Sequence, residues 1–116
     1  MRKYSNNIFP RDLWIARSLR EAEEDFTSPD GEFETIEHTN AIASVYPVNL
    51  IKEDKGGILL IVRKTADVRT IAHEALHITR LILEDLPCGL NDETEETWCY
   101  VIGWVADCIQ DYLGQD

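Results

Sequence analysis

Three side chains within five consecutive positions, His73, Glu74 and His77 of the run His73-Glu74-Ala75-Leu76-His77, have the types and spacing that metal-assisted hydrolysis requires. On an α-helix, residues i and i+4 lie on one face a turn apart, so two imidazole nitrogens can converge on one tetrahedral Zn²⁺ at about 2.0–2.1 Å. The 3.6-residue turn rotates Glu74 roughly 100° from His73, beside such an ion without having to ligate it. A carboxylate there can take a proton from water whose pKa zinc lowers towards about 7, and can later hand it to a leaving amine. With three His and 12 Glu in 116 residues, composition produces this pattern by chance in roughly one such chain in a hundred, so the motif is specific enough to direct the reading.

The motif sits in a stretch from Asp67 to Leu86 whose apolar residues Ile71, Ala75, Ile78, Ile82 and Leu86 recur three or four apart, which predicts a helix stopped by Pro87-Cys88-Gly89. Leu83 joins that apolar arc, while His73 and His77 share the other side with Thr70, Arg80 and Glu84. The two histidines therefore face a cleft or solvent, not the core.

A catalytic zinc takes a third protein ligand and keeps a fourth position open. His77 is followed by Ile78-Thr79-Arg80-Leu81-Ile82-Leu83, without the Gly and third His of the metzincin continuation, so a downstream Glu is the candidate. Asn91-Asp92-Glu93-Thr94-Glu95-Glu96-Thr97-Trp98 offers three at the start of a second helix that runs through Tyr112. Glu95 borders the apolar stripe of Trp98, Ile102, Val105 and Ile109, but three residues after Asp92 it also has capping-box spacing, which would occupy it. Glu96 heads a stripe of Tyr100, Gly103 and Asp107, on which Gly103 would let the motif helix approach and Tyr100 could donate its hydroxyl to a developing oxyanion. The expected site is thus His73, His77 and Glu96 on Zn²⁺, Glu74 as general base and Tyr100 as oxyanion donor. Glu95 and His38 are the alternatives for the third ligand. Acidic residues at a helix N-terminus are also favourable without any metal.

The rest of the chain must supply a scaffold for these helices. Leu13-Trp14-Ile15-Ala16 reads as a strand followed by a short helix through Phe26, and Thr27-Ser28-Pro29-Asp30-Gly31 as a turn. Ala41-Ile42-Ala43-Ser44-Val45-Tyr46-Pro47-Val48 reads as a strand whose Pro47 suits an edge, Lys52-Glu53-Asp54-Lys55-Gly56-Gly57 as a hairpin loop, and Ile58-Leu59-Leu60-Ile61-Val62 as a buried strand. No repeat or linker interrupts the chain, which predicts one α+β domain over 1–116, a small antiparallel sheet packed on two long C-terminal helices.

Composition narrows the partners. The 22 acidic against 11 basic side chains give a net charge of −11, which disfavours the phosphate-neutralising surface of a nucleic-acid binder and docking on an anionic membrane. No segment approaches the roughly 20 apolar residues of a membrane span, and the N-terminus lacks the apolar run of a signal peptide. Cys99 and Cys108 on one helix would stand roughly 13 Å apart, beyond disulfide reach, and with Cys88 they make an odd number, which points to a reducing cytoplasm.

The run Thr70–His77, preceded by the Gly57–Val62 strand and followed by Glu95-Glu96-Thr97-Trp98-Cys99-Tyr100-Val101-Ile102-Gly103-Trp104, resembles a family of short phage and prophage proteins regarded as zinc metallopeptidases. The likeness extends to Arg11-Asp12-Leu13-Trp14-Ile15-Ala16 and is weak between residues 17 and 40. It implies a minimal zincin-like fold, zinc, a bacterial host cytoplasm, and a Glu four residues before the Tyr, which falls on Glu96; Cys99 stands where Ala is usual. The function so implied is a zinc-dependent metallopeptidase acting on a peptide or protein. The alternative is a zinc-stabilised, non-catalytic regulatory phage protein that binds a host protein, and neither reading fixes an oligomeric state.

Overall fold

The computed structural model describes residues 1–6, 8–9, 11–22, 26–27, 42–51 and 55–115. Five strands, β1 (Arg2–Tyr4), β2 (Leu13–Ala16), β3 (Phe26–Thr27), β4 (Ala43–Leu50) and β5 (Lys55–Val62), form one sheet in the order β1-β2-β5-β4-β3. The helices are the short α1 (Leu19–Ala22) and the long α2 (Val68–Leu83) and α3 (Glu95–Leu113). The architecture is α+β as expected, with one difference in the sheet. β2 and β5 run parallel, in a register that sets Leu13 beside Ile58 and Ile15 beside Leu60, while the other pairings are antiparallel. Parallel neighbours need a crossover of a dozen or more residues, and residues 17–54 provide it. Apolar patterning within a strand carries no sign of its direction.

The unbroken apolar run of β5 is explained by cover on both sides. Ile58, Leu60 and Val62 join Leu13, Ile15 and the buried faces of α2 and α3 in the main core, whereas Leu59 packs on the other side with Ala16, Ala22, Phe26 and Val48. Trp14 meets Phe26 edge to face there, with ring centroids 5.0 Å apart. β1 carries no strand signal in Arg2-Lys3-Tyr4; its place at the edge is fixed partly by the Tyr4 hydroxyl, which donates to Asp111 Oδ2 of α3 at 2.7 Å. Asp111 raises the Tyr4 phenol beyond its ordinary range, second to burial as a cause.

Both ends of α2 are fixed by side chains. Asp67 is the N-cap, its Oδ1 accepting from the Thr70 amide and the Thr70 hydroxyl, each at 3.0 Å. At the other end the Arg11 guanidinium donates to the Leu81 carbonyl at 2.5 Å and to Asp85 at 2.6 Å, so a cation serves the last free carbonyls where the helix dipole is negative. The helix stops at Leu83, three residues before the expected Leu86, and a turn leads into Pro87, whose ring disfavours helical geometry in the residue before it.

α3 starts at Glu95, not near Asp92, and the Asp92–Glu95 capping box is absent. Asn91 and Thr94 hold this corner instead: Asn91 Oδ1 accepts from the Glu93 and Thr94 amides at 2.9 and 3.1 Å, and the Thr94 hydroxyl donates to the Gly89 carbonyl. These local bonds compete with helix for residues 91–94. The Trp98 indole closes the corner by donating to the Cys88 carbonyl at 2.7 Å.

The two hydrogen bonds from Thr70 hold the Asp67 carboxyl below its ordinary value of 3.8, so its contribution to stability is present above that value and lost as pH falls below it. Asp67→Ala should therefore lower the Tm at pH 7 by more than at pH 3. Thermal melts of both proteins at the two pH values check this, and an equal deficit at both would refute the capping role.

Candidate metal centre

Burial of Ile71, Ala75, Ile78 and Ile82 against the sheet sets the rotation of α2 about its axis. At about 100° per residue the flanks are then assigned. Glu74, His77, Arg80 and Leu81 line a cleft of about 470 Å³ whose other wall is Ala43, Ser44, Val45, Tyr46 and Pro47 of β4. The opposite flank, where Thr79 and Leu83 are buried, is the one left to pack on α3. Thr79 satisfies its buried hydroxyl by donating to the Ala75 carbonyl at 2.7 Å.

The histidines meet at the outer rim of this cleft. His73 Nε2 and His77 Nε2 are 3.2 Å apart, with ring centroids 4.8 Å apart and planes inclined at 66°. Two nitrogens on one tetrahedral Zn²⁺ at about 2.05 Å are separated by about 3.3 Å, so the pair has the span of two zinc ligands. The same distance suits an Nε2–H of one ring donating to the other. Glu74 Oε1 lies 3.8 Å from His73 Nε2. The residue is only 8% exposed, yet apart from this approach its carboxylate has no hydrogen bond or ion pair among the described residues. No buried side-chain oxygen is left unsatisfied among the described residues, so the Glu74 carboxylate opens to the cleft, where it can accept a proton from something that enters.

The structure does not bring Glu96 to this pair. Glu96, Tyr100, Gly103 and Asp107 are all exposed and centre opposite the buried stripe of Trp98, Val101, Val105, Cys108, Ile109 and Tyr112. A Cβ on Gly103 would meet nothing within 4 Å, so that glycine marks no close approach of α2. Tyr100 is 55% exposed on the same outward face. Glu95 borders a separate groove with Leu90, Trp98 and Ile102. Among the described residues, no third His, Cys, Asp or Glu joins the histidines as a ligand group. His38 lies outside the described residues. The expectation for α3 failed because a helical stripe can be read as facing inward only once its buried side is known, and Glu96 sits half a turn from the true one.

Two neighbours of the motif were not singled out from the sequence. Tyr46 on the cleft wall carries a phenol raised by burial and, further, by the Glu74 carboxylate, with the Ser44 hydroxyl opposing. Arg80 shares the helix face of the histidines, which the periodicity did show. Among the described residues, the part of β4 that forms this wall has a strand partner on its β5 side only. The Arg63 amide donates to the Ile42 carbonyl at 2.8 Å, so the antiparallel alternation turns the backbone groups of residues 43, 45 and 47 away from β5. Among the described residues β3 pairs with Leu50 and Asn49, and the missing N–H of Pro47 falls on the side away from β5, where it costs the β4–β5 ladder nothing.

Comparisons of the chain with protein-family models, with curated proteins and with solved structures find no match. No helix among the described residues is long and apolar enough to cross a membrane.

Since Glu96 points away from the histidines, Glu96→Gln should leave the zinc affinity within about twofold of wild type, whereas His77→Ala should weaken it more than tenfold, as loss of a direct ligand does. Competition titration with a chromophoric chelator measures both, and a tenfold loss in the Glu96 variant would return it to the coordination shell.

Proposed function

We propose that the chain is a zinc-dependent peptidase whose chemistry is carried by α2 at the rim of the β4 cleft. The reading rests on the convergence of His73 Nε2 and His77 Nε2 to 3.2 Å beside the largely covered Glu74, whose one ionic approach among the described residues is to His73 at 3.8 Å. In this reading the two imidazoles hold the ion through Nε2, which requires each ring to carry its remaining proton on Nδ1. The bound ion supplies Lewis acidity that polarises the scissile carbonyl and acidifies water. Glu74 takes one proton from the attacking water as the C–O bond forms and delivers it to the leaving nitrogen as the C–N bond breaks; the second water proton passes from the new carboxylic acid to the amine, leaving a carboxylate and an ammonium group. An extended peptide is oriented by pairing with the outward backbone groups of Ala43 and Val45, a strand addition that presents its carbonyls to the motif helix. The resemblance to short phage metallopeptidases agrees with this reading and carries less weight than the geometry.

One observation favours a second reading, a zinc-stabilised binding protein without proteolysis: no third ligand stands with the histidines among the described residues. The two readings part at Glu74. If the chain is a peptidase, Glu74→Gln retains zinc and loses at least a hundredfold in cleavage of an unstructured protein such as casein, the ordinary weight of a general base. Equal, chelator-insensitive cleavage by wild type and variant would sink the peptidase. If wild-type protein binds no zinc at micromolar metal and its Tm does not rise with zinc, both readings fail.

A further inference from the structure

We infer that Arg80 makes the cleft a carboxylate-recognition site, so that the preferred occupant is a peptide carrying an acidic group near the segment that pairs with β4. Among the described residues it is the one permanently cationic side chain lining the cleft. It stands one turn beyond His77 on the same helix edge, and side chains three apart on a helix are neighbours.

Its freedom to bind a ligand follows from its surroundings. An arginine on a helix surface normally finds a partner three or four residues away. Four residues before it is Leu76, which offers no charge, and four residues after it is Glu84, which Arg11 engages at 3.4 Å from each of two guanidinium nitrogens. Arg80 itself makes no hydrogen bond or ion pair among the described residues. Elsewhere in the chain, Arg2 and Arg17 are drawn to Asp111 and to the Gln115 carbonyl. Arg20, Arg63 and Arg69 also make no side-chain hydrogen bond or ion pair among the described residues, but of these arginines Arg80 is the one that lines the cleft, which it shares with Glu74.

A guanidinium suits this task. It is permanently charged, weakly hydrated, and presents a planar fork that takes both oxygens of a carboxylate. Apart from Glu74 in the same cleft, which the Glu74→Gln background of the test removes, the negative charge opposes an acidic peptide over long range. At about 0.15 M salt the Debye length is about 8 Å, so contact with Arg80 outweighs the distant carboxylates. The matching group can be a Glu or Asp side chain or a C-terminal carboxylate.

The inference rests on the peptidase reading only in calling the occupant a substrate, and binding tests it without turnover. Zinc-loaded Glu74→Gln protein is titrated by NMR with a capped five-residue peptide bearing a central Glu, with its Gln counterpart, and with that Gln peptide carrying a free C-terminal carboxylate. The Glu peptide, the free-carboxylate peptide or both should bind about three- to tenfold more tightly than the capped Gln peptide, which identifies the source of the carboxylate. Adding Arg80→Gln should remove the preference, Arg80→Lys should keep part of it, and Arg80→Glu should reverse it. Arg80 is exposed, so Arg80→Gln and Arg80→Lys should leave zinc affinity and Tm unchanged; Arg80→Glu places a candidate ligand one turn from His77, so its titrations are run at saturating zinc. Equal binding of the three peptides, no binding of any, or a preference that survives Arg80→Glu overturns the inference. Charge preference without cleavage by the wild-type chain refutes the peptidase alone, and cleavage without charge preference refutes Arg80 alone.

Discussion

The burial of Ile71, Ala75, Ile78 and Ile82 fixes how α2 is rotated on the sheet, and the chemistry of the chain follows from that rotation. A helix of 3.6 residues per turn offers a buried stripe, two flanks and an exposed crest. Here the stripe anchors the core, one flank meets α3, the other meets β4, and the crest and the β4 flank between them carry His73, Glu74 and His77. A slip of a single residue, about 100°, would drive His77 under the helix into the place of Ile78 and carry the buried Leu83 into the exposed place of Glu84. Each isoleucine buried there is worth about 1.5–3 kcal/mol in transfer free energy, so the rotation is held far more firmly than any contact between the two imidazoles could hold it. Asp67 and Arg11 secure the ends without altering the register.

The sheet determines which flank becomes the cleft. Because β5 takes β2 as a parallel neighbour on one side and β4 as a hairpin partner on the other, its helix-facing residues Ile58, Leu60 and Val62 lie under the helix layer. β4 is then left as the strand beside the motif. Its outward backbone groups from 43 to 47 border the same helix edge from which Glu74 and Arg80 project. Among the described residues, the outward groups of β4, Glu74 and Arg80 are thus brought together by one topological choice, the long crossover from β2 to β5.

Much of this was legible in the sequence, for identifiable reasons. The β5 run, the helix over the motif and the outward placement of the histidines follow from periods of two and 3.6, which are properties of local chain geometry. The edge position of Pro47 follows from its missing N–H. What could not be read depended on long-range partners. β1 exists because β2 offers it an edge and Asp111 a hydrogen bond, and neither is encoded in Arg2-Lys3-Tyr4. The parallel direction of β2 leaves no local trace. The start of α3 was misjudged because Asn91 and Thr94 bind their own turn, although the Asp92–Glu95 spacing satisfies the capping pattern. Glu96 is favoured in the sequence by the Gly103–Tyr100 stripe and by the capping spacing that would occupy Glu95, although the apolar stripe of Trp98, Val105 and Ile109, which the structure buries, lies half a turn away.

The same geometry constrains how a coordination shell could be completed. α3 packs on the Thr79–Leu83 flank, so a carboxylate from its outward face would have to reach around α3 and then over the crest of α2 to meet His73 and His77. A Glu side chain spans only about four bonds beyond its Cα, less than the 8–10 Å that separates packed helix axes. Donors that approach from the β4 side face no such barrier, because the cleft opens there and the rim nitrogens are accessible from it. Completion from that side would put the third ligand, the peptide backbone and Arg80 in one space, and would make metal affinity and peptide binding depend on each other. Completion across the helix hairpin would leave them independent. Under the proposed function, the coupling between zinc and peptide affinity would be the physical quantity that tells these two arrangements apart.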